Sequence, residues 1–398
     1  MSFETLEETW NKLGEIDPLW AILTSPAAEG GRWDLQAFLA SGKGEIACAL
    51  EEIRLLGFSL TFGKALDFGC GAGRLTQALG DYFQGCHGVD IAPSMIDLAN
   101  RLNEEPSRLI YHLNQAEDLA LFADDTFDFI YSRIVLQHMA PAYSQKYMAE
   151  FVRLLKPGGL AAFQVPAGPA SAAGTGPEAV AGLLRPSGRF VASLVPAETA
   201  LALQAGERRD LTVRVQNASQ ATWSTEATSG GRPAIFLGNH WLDESRCIVQ
   251  LDDGRTPLPV TLRPGEAVEV DLTVAAPQAE GHYWLELDLV QEQVAWFSSK
   301  GNQGPVIPVT VLGPAGKPDS QPKAVSVVTL PALLARLLER LRGGRRRPAG
   351  DKPQFEMHGV LPAEVVKVVR ASQGRLVAVQ HDGSAGREWR SYFYYVTK

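Results

Sequence analysis

A glycine-rich turn between an apolar run and a helical pattern is the feature that most constrains the fold of this chain. Residues 65–68 (ALDF) form a short apolar run, typical of a buried parallel strand, and Gly69, Gly71 and Gly73 follow at once. From Arg74 the apolar residues recur at helical spacing. Backbone N–H groups in such a turn can approach a ligand because no Cβ atoms stand in the way. A tight turn without function has a similar sequence, so the turn alone leaves both interpretations open.

The spacing of the glycines and a later carboxylate narrow the class of ligand. The dinucleotide-binding fingerprint is G-x-G-x-x-G, whereas this turn is one residue shorter, G-x-G-x-G. Asp90 ends the next apolar strand, where a carboxylate can accept hydrogen bonds from ribose hydroxyls. The two segments resemble motifs of the class I S-adenosylmethionine-dependent methyltransferases, of the type 11/25-like group.

Later segments resemble further motifs of this family. Residues 122–132 combine an acidic turn, Phe127-Asp128 and an apolar strand, and residues 136–139 (LQHM) follow. Residues 154–159 (LLKPGG) then precede a fifth strand. The resemblance implies an α/β fold with a Rossmann-like seven-stranded sheet, mostly parallel with one antiparallel strand.

The end of the chain supplies what such a sheet still lacks after its fifth strand. In the family the last two strands form a hairpin, and residues 362–373, 375–381 and 390–396 read as a helix followed by two strands. We therefore predict a discontinuous methyltransferase domain, made of residues 1–166 and 353–398.

The resemblance also implies S-adenosylmethionine as the cofactor and assigns its contacts. The glycines would let the backbone reach the methionyl portion, Asp67 would orient the turn or accept from the amino group, and Asp90 would hold the ribose. Ile91 would pack against adenine, and the amide Gln115 stands where the family often has an acid. The cofactor-binding candidates are Asp67, Gly69, Cys70, Gly71, Gly73, Asp90, Ile91, Gln115, Ala116 and Ser132, and no metal site is predicted.

Two histidines are candidates for a general base. His138 follows the carboxyl end of the fourth strand, near the crevice where open α/β sheets bind ligands. The alternative for His138 is a structural role, capping a helix or contacting a backbone carbonyl. His358 is a second candidate because it leads into the returning segment.

The first sixty residues predict helices that precede the sheet. Leu6, Trp10 and Leu13 recur at helical spacing, and a second helix is expected over residues 34–56. We interpret this part as a helical cap that buries Trp20 and Trp33. The alternative is a lid over the cofactor, with Arg32 available for a carboxylate.

The composition changes after residue 166. Residues 167–189 are rich in Ala, Gly, Pro and Ser and predict a linker, and residues 190–313 show period-two alternation typical of an antiparallel β-sandwich. Without a cysteine pair, this region resembles an immunoglobulin-like module that lacks the disulfide. His240 and Trp241 could line a sugar-binding surface, but core and turn positions are the interpretation we favour.

A second linker, residues 314–352, contains a basic amphipathic helix over residues 330–342, followed by three arginines at 345–347. One interpretation of residues 330–347 is weak contact with a membrane surface. The other is a helix docked on the protein, followed by a solvated basic loop.

The overall composition limits the classes of binding partner and the cellular compartment that we expect for this protein. The formal net charge of −8 argues against general nucleic-acid binding, which needs a basic footprint. The four cysteines have no metal-ligand spacing and fit reduced thiols, and neither a signal peptide nor an 18-residue apolar run is present. We expect a cytoplasmic protein, and the oligomeric state stays open.

These observations leave more than one class of function. We expect a methyltransferase that O-methylates a saccharide or a glycan-linked acceptor, because carbohydrate-active enzymes often carry β-sandwich modules, which is an argument by analogy. One alternative is an O-methyltransferase for a small molecule, such as a natural product. Another is a non-catalytic scaffold that holds cofactor and uses the β-sandwich as an interaction module.

Overall fold

The computed structural model describes residues 2–24, 28–185, 188–225, 234–244, 246, 248–292, 294–313, 356–386 and 388–398. The basic segment at residues 330–347, for which we predicted an amphipathic helix, lies outside this part of the chain. None of the described helices has the length and apolarity that crossing a bilayer requires.

The chain begins with three helices, of which the apolar spacing predicts the first and the third. They are α1 (Phe3–Ile16), α2 (Pro18–Ile22) and α3 (Leu35–Leu55). Side-chain caps start two of them: Ser2 accepts from the backbone N–H of Thr5, and Asp34 accepts from that of Ala37. Trp20 and Trp33 are half-buried, so the cap shields them only in part.

Five parallel strands follow, and three of their four connections contain a helix; the connection from β3 to β4 has none. The strands are β1 (Lys64–Phe68), β2 (Gly85–Asp90), β3 (Leu109–Leu113), β4 (Phe127–Ser132) and β5 (Leu155–Pro169), and the helices are α4 (Arg74–Gly80), α5 (Pro93–Arg101) and α6 (Pro141–Leu154). Every residue of β4 is buried, as expected for a central parallel strand covered on both faces. The carboxyl ends of β1, β2 and β4 meet at one edge of the sheet.

A β-rich region follows. Its ten described strands are β6 (Ala192–Pro196), β7 (Leu201–Gln204), β8 (Arg208–Asn217), β9 (Ile235–Leu242), β10 (Ile248–Gln250), β11 (Arg255–Pro257), β12 (Ala267–Ala275), β13 (Gly281–Gln291), β14 (Ala295–Trp296) and β15 (Val306–Leu312). One sheet has the order β12-β8-β6, and the other has the order β10-β9-β13-β15-β7, with β11 beside β9 and β14 beside β13. Alternate residues of β8 and β13 enter one shared core, which explains the period-two pattern.

The end of the chain returns to the first sheet. Helix α7 (Pro362–Ala371) is followed by β16 (Arg375–His381) and β17 (Trp389–Thr397). β17 pairs antiparallel with β5 and with β16, so the strand order is β16-β17-β5-β4-β1-β2-β3. The sheet therefore has seven strands, mostly parallel, which confirms the α/β fold and the single antiparallel strand.

Candidate active site

A cavity lies at the carboxyl ends of β1, β2 and β4, beneath α1 and α2. Its volume is about 1020 Å³ including the mouth. Its walls include residues from the glycine turn, from the end of β2, from the segment after β4 and from the N-terminal helices. The most informative are Phe3, Leu6, Trp10, Ile22, Glu45, Gly69, Cys70, Gly71, Arg74, Asp90, Ile91, Met95, Asn114, Arg133, Val135, His138, Met139 and Tyr147.

The glycine turn needs glycine for two physical reasons. Gly69 and Gly71 have φ values of 77° and 50°, in the left-handed region that disfavours side chains. A Cβ on Gly69 would lie 2.3 Å from Val135 Cγ2, and one on Gly71 would lie 2.6 Å from Ile22 Cδ1. Side chains in the turn would therefore collide with Val135 and Ile22, two residues that line the pocket.

Asp90 ties the turn to the next strand. Its Oδ2 accepts from the backbone N–H of Gly71 at 2.9 Å, and its Oδ1 accepts from that of Ala92 at 2.9 Å. Burial raises the pKa of the Asp90 carboxyl, and the backbone donors act in the opposite direction. Each carboxylate oxygen has two lone pairs, so Asp90 can also accept from a ribose.

The pocket wall contains about half of the sequence-based candidates. Gly69, Cys70, Gly71, Asp90 and Ile91 line it, as does His138. The wall does not include the other five cofactor candidates: Asp67, Gly73, Gln115, Ala116 and Ser132.

Those five residues lie beside or behind the wall, where local partners explain their positions. Asp67 accepts from the Thr76 hydroxyl at 2.7 Å, and burial raises its pKa to about 7. Ser132 is buried and donates to the carbonyl of Phe68 at 3.1 Å. These contacts suit a role in shaping the turn, and the cofactor contacts assigned to these residues stay predictions.

The segment after β3 presents a different residue from the one we expected. Gln115 is exposed, and its amide donates to Glu7 of α1. The carbonyl of Ala116 accepts from the Tyr147 hydroxyl at 2.7 Å. It is the preceding residue, Asn114, that lines the pocket.

His138 is held in one tautomer. Its Nδ1 lies 3.1 Å from the carbonyl oxygen of Glu356, which can only accept, so Nδ1 carries the proton. Its Nε2 lies 3.1 Å from the Gln137 amide nitrogen and accepts from it. Burial lowers the pKa of His138 to about 4, so the ring is neutral near pH 7. The carbonyl contact that we weighed as the structural alternative is therefore present, on a ring that also lines the pocket.

His358 lies next to this histidine. Its backbone N–H donates to the carbonyl of Gln137 at 2.7 Å, and its Nε2 lies 3.0 Å from a carboxylate oxygen of Glu356. The ring is outside the pocket wall. The returning segment thus reaches the site mainly by holding His138.

Sequence reasoning missed a charged part of the wall. Arg74 Nη2 lies 2.8 Å from Glu45 Oε2, and Arg133 Nη1 lies 3.5 Å from Glu45 Oε1. Burial would raise the pKa of Glu45, but the two guanidinium groups outweigh it and lower the pKa to about 2. The sequence carries little signal for this wall, since Glu45 follows Gly-Lys-Gly and Arg133 merely precedes the apolar residues 134–136. Arg32, which we weighed for a carboxylate, instead donates to the carbonyl of Glu29 and is outside the wall.

Other expected or excluded chemistry can be checked on the described residues. Within them, no group of three or more His, Cys, Asp or Glu side chains could hold a metal ion. Cys48, Cys70 and Cys86 are buried, and none of them forms a disulfide with another described residue. His240 and Trp241 are fully buried, so the core interpretation of this pair is confirmed.

Known proteins match the part of the chain that forms this pocket. Residues 66–163 match the family model described as "Methyltransferase domain". A ubiquinone biosynthesis O-methyltransferase of Cereibacter sphaeroides is 38% identical over 99 residues, which are 24% of this chain and 38% of that protein. Phosphoethanolamine N-methyltransferase 2 of Caenorhabditis elegans is 35% identical over 97 residues, 24% of this chain and 22% of that protein.

The solved structures that are similar to this chain include that of the YcgJ protein from Bacillus subtilis. The two chains are 28% identical, the TM-score is 0.27, and the match covers 32% of this chain and 53% of that one. The chain spans well under half the length of the curated relatives named above. Residues 66–163 are thus similar to a methyltransferase domain, and this similarity extends over about a quarter of the chain. The β-rich region lies outside the matched residues.

Proposed function

We propose that this protein is an S-adenosylmethionine-dependent methyltransferase that acts on the oxygen of a small acceptor. The observation that carries the proposal is the turn at Gly69 and Gly71, fixed by Asp90, at the floor of a cavity closed by the N-terminal helices. A side chain on either glycine would collide with Val135 or Ile22, which line the same cavity, and would distort its wall. The residues present therefore fit the cofactor.

Each part of the pocket has a role in this proposal. The backbone at Gly69 and Gly71 binds the methionyl portion, Asp90 holds the ribose, and Ile91 and Met95 pack against adenine. When bound, the cofactor supplies a methyl group that its sulfonium makes electrophilic. The protein then has to align the acceptor oxygen with that group and exclude water.

In this proposal the N-terminal helices exclude water from the cavity. Phe3, Leu6 and Trp10 of α1 line the cavity from above. The Trp10 ring packs edge-on against the His138 ring, with the two ring centroids 5.1 Å apart. We propose His138 as the group that accepts the acceptor's proton, through Nε2, after Gln137 yields its hydrogen bond. The cap is thus also a lid, which unites the two interpretations of residues 1–60.

The lining favours an acceptor with an apolar portion. Phe3, Leu6, Trp10, Met139 and Tyr147 face the cavity. A relative named as a ubiquinone biosynthesis O-methyltransferase supports O-methylation of such a molecule. A saccharide or glycan-linked acceptor is the second candidate, because carbohydrate-active enzymes often carry β-sandwich modules. The two sheets and shared core of residues 190–313 are what such an immunoglobulin-like insertion would show. A scaffold without turnover is disfavoured, because both the turn and Asp90 are intact.

The domain limits and the compartment belong to the same proposal. Residues 1–166 and 353–398 would form the methyltransferase domain, interrupted by the β-rich region, because β16 and β17 complete the sheet that β1–β5 begin. The buried thiols of Cys48, Cys70 and Cys86, which form no disulfide among the described residues, support a cytoplasmic location.

Titration calorimetry of the full chain with S-adenosylmethionine and S-adenosylhomocysteine tests the cofactor. Asp90→Asn should weaken binding about 10- to 100-fold, since a hydrogen bond to a charged group contributes about 1.5–3 kcal/mol. Asp97→Asn, on the exposed face of α5, should bind like the wild type. An absence of wild-type binding to either compound would overturn the proposal.

Assays with radiolabelled methyl groups then separate the acceptors. Phenolic compounds with an apolar substituent should be methylated in preference to oligosaccharides. Methylation of oligosaccharides alone would favour the second candidate.

A further inference from the structure

A chain of ion pairs runs from the β-rich region to the wall of the cofactor pocket. Lys300 Nζ, at the end of the short 3₁₀ helix after β14, lies 2.7 Å from Asp382 Oδ2. The same carboxylate oxygen lies 3.6 Å from Arg133 Nη2. Arg133 in turn faces Glu45 at 3.5 Å, and Glu45 pairs with Arg74 at 2.8 Å. Five side chains from distant parts of the sequence are therefore linked.

Arg133 lies between two cavities. It lines the cofactor pocket together with Glu45, and both residues also line a second cavity of about 440 Å³. Phe190, Val294 and Lys300 line that second cavity from the β-rich region. The Arg133 side chain is 11% exposed, and its Nε has no hydrogen-bond partner in the described part of the chain.

The linked side chains carry a surplus positive charge. Three are cations (Arg74, Arg133 and Lys300) and two are anions (Glu45 and Asp382). Both acids stay ionised: burial would raise the pKa of Asp382, but Lys300 and Arg133 hold it below its ordinary value. Asp67 also acts on Arg74, but burial raises the pKa of its carboxyl to about 7, so it offsets the surplus only in part. A buried charge without a full counter-ion is costly, so the network favours an anion at the pocket wall.

We infer that Lys300 is a positioning residue for the cofactor pocket, through which the β-rich region controls the capture of a carboxylate by Arg133. The inference rests on the proposed function, and the carboxylate is that of the cofactor's methionyl portion. Lys300 neutralises Asp382, which leaves the charge of Arg133 available to the ligand. With Lys300 neutral, Asp382 would hold Arg133 as a closed pair and the surplus charge would vanish.

The packing between the two regions fixes this geometry. A Cβ on Gly383 would lie 2.4 Å from the Cβ of Ser299, the residue before Lys300. The backbone after β16 therefore approaches the β-rich region as closely as glycine permits. Gly383→Ala should displace Lys300 from Asp382 without changing any charge.

Calorimetry with two ligands tests the inference. S-adenosylhomocysteine carries the carboxylate, whereas 5′-methylthioadenosine has the same adenosyl group without it. Lys300→Gln should weaken binding of S-adenosylhomocysteine about three- to tenfold and leave that of 5′-methylthioadenosine unchanged. Lys300→Arg should restore the wild-type affinity. Lys43→Gln, in the exposed pair with Asp81, is the control and should change neither affinity.

The outcomes separate this inference from the proposed function. Equal loss for both ligands, or no loss for either, would overturn the role of Lys300 while wild-type binding still supported the methyltransferase. If Lys300→Gln does not fold, Gly383→Ala carries the same comparison and should show the same selective loss. Failure of the wild type to bind S-adenosylhomocysteine would instead sink the proposed function.

Discussion

The pocket wall formed by β1, β2 and the turn between β1 and α4 is held together by backbone N–H groups that donate within the wall, whereas the wall formed by α3 and the segment after β4 presents charged side chains. In the first wall, Gly71 N–H donates to Asp90 over a short sequence distance. In the second, Glu45 and Arg133 meet from distant segments, and Asp382 and Lys300 support them from the far end of the chain.

This difference predicts how each wall fails. The glycine turn depends on local backbone geometry, so a single added methyl group should change ligand binding before it changes much else. The charged wall depends on several buried ions that stabilise one another, so removal of one partner leaves the others uncompensated. Stability should therefore fall first at the charged wall.

Glu45→Gln should have the largest effect. It removes the anion that pairs with both Arg74 and Arg133, and breaking a buried pair in this way costs about 3–5 kcal/mol. Chemical denaturation at pH 7 measures the loss. The folded-state pKa of Glu45, about 2, lies below its ordinary value of 4.5. Its contribution is therefore complete above about pH 4.5 and is lost as the pH falls towards 2.

Glu117→Gln is the matched control, since Glu117 pairs with Lys146 on the exposed surface. Exposed pairs contribute about 0–1 kcal/mol, so this variant should unfold almost like the wild type. Similar losses for the two variants would show that burial does not set the strength of the Glu45 network.

Gly69→Ala should have the next largest effect, and on a different quantity. A left-handed backbone costs an alanine about 1–2 kcal/mol, and its Cβ would also press on Val135 at 2.3 Å. The β-branched valine has little freedom to move away. Affinity for S-adenosylhomocysteine should fall about tenfold or more, as calorimetry would measure.

Gly57→Ala separates strain from crowding. Gly57 also has a positive φ, of 86°, but no atom lies within 4 Å of its added Cβ. This variant should lose stability from backbone strain and keep its affinity. A loss of affinity in both variants would mean that general destabilisation, and not the shape of the turn, weakens binding.

The same contrast explains what the sequence could predict. Gly69, Gly71 and Asp90 lie in contiguous motifs, so local spacing was enough to bring them together at the ends of β1 and β2. The seven-stranded sheet was implied by the resemblance to the methyltransferase family, together with the helix and two strands read at the chain's end. Short-range patterns in a sequence encode contiguous motifs and regular strands and helices.

The charged wall left no comparable pattern. Nothing in the spacing of Glu45, Arg133 and Asp382 indicates that α3, the segment after β4 and the turn after β16 converge. Gln115 and Asn114 show the same limit on a smaller scale, because a shift of one residue decides which side chain faces the pocket. Tertiary packing, which local periodicity does not encode, sets both.

His138 joins the two kinds of wall and should show the smallest effect. Its folded pKa of about 4 lies below the ordinary 6.5, because burial disfavours the charged ring. Its contribution to stability is therefore complete above about pH 6.5 and is lost as the pH falls through 4. Because the ring is partly exposed, the free energy of unfolding should change by only about 1 kcal/mol over this pH range. His138→Gln should flatten that part of the stability profile in denaturation series from pH 7 to 4, whereas His282→Gln, at an exposed position on β13, should leave it unchanged. If the stability profile of His138→Gln matches that of the wild type, the wild-type ring gains solvent or a new partner when it is protonated. A histidine that is open to solvent could then accept the acceptor's proton without help from Gln137.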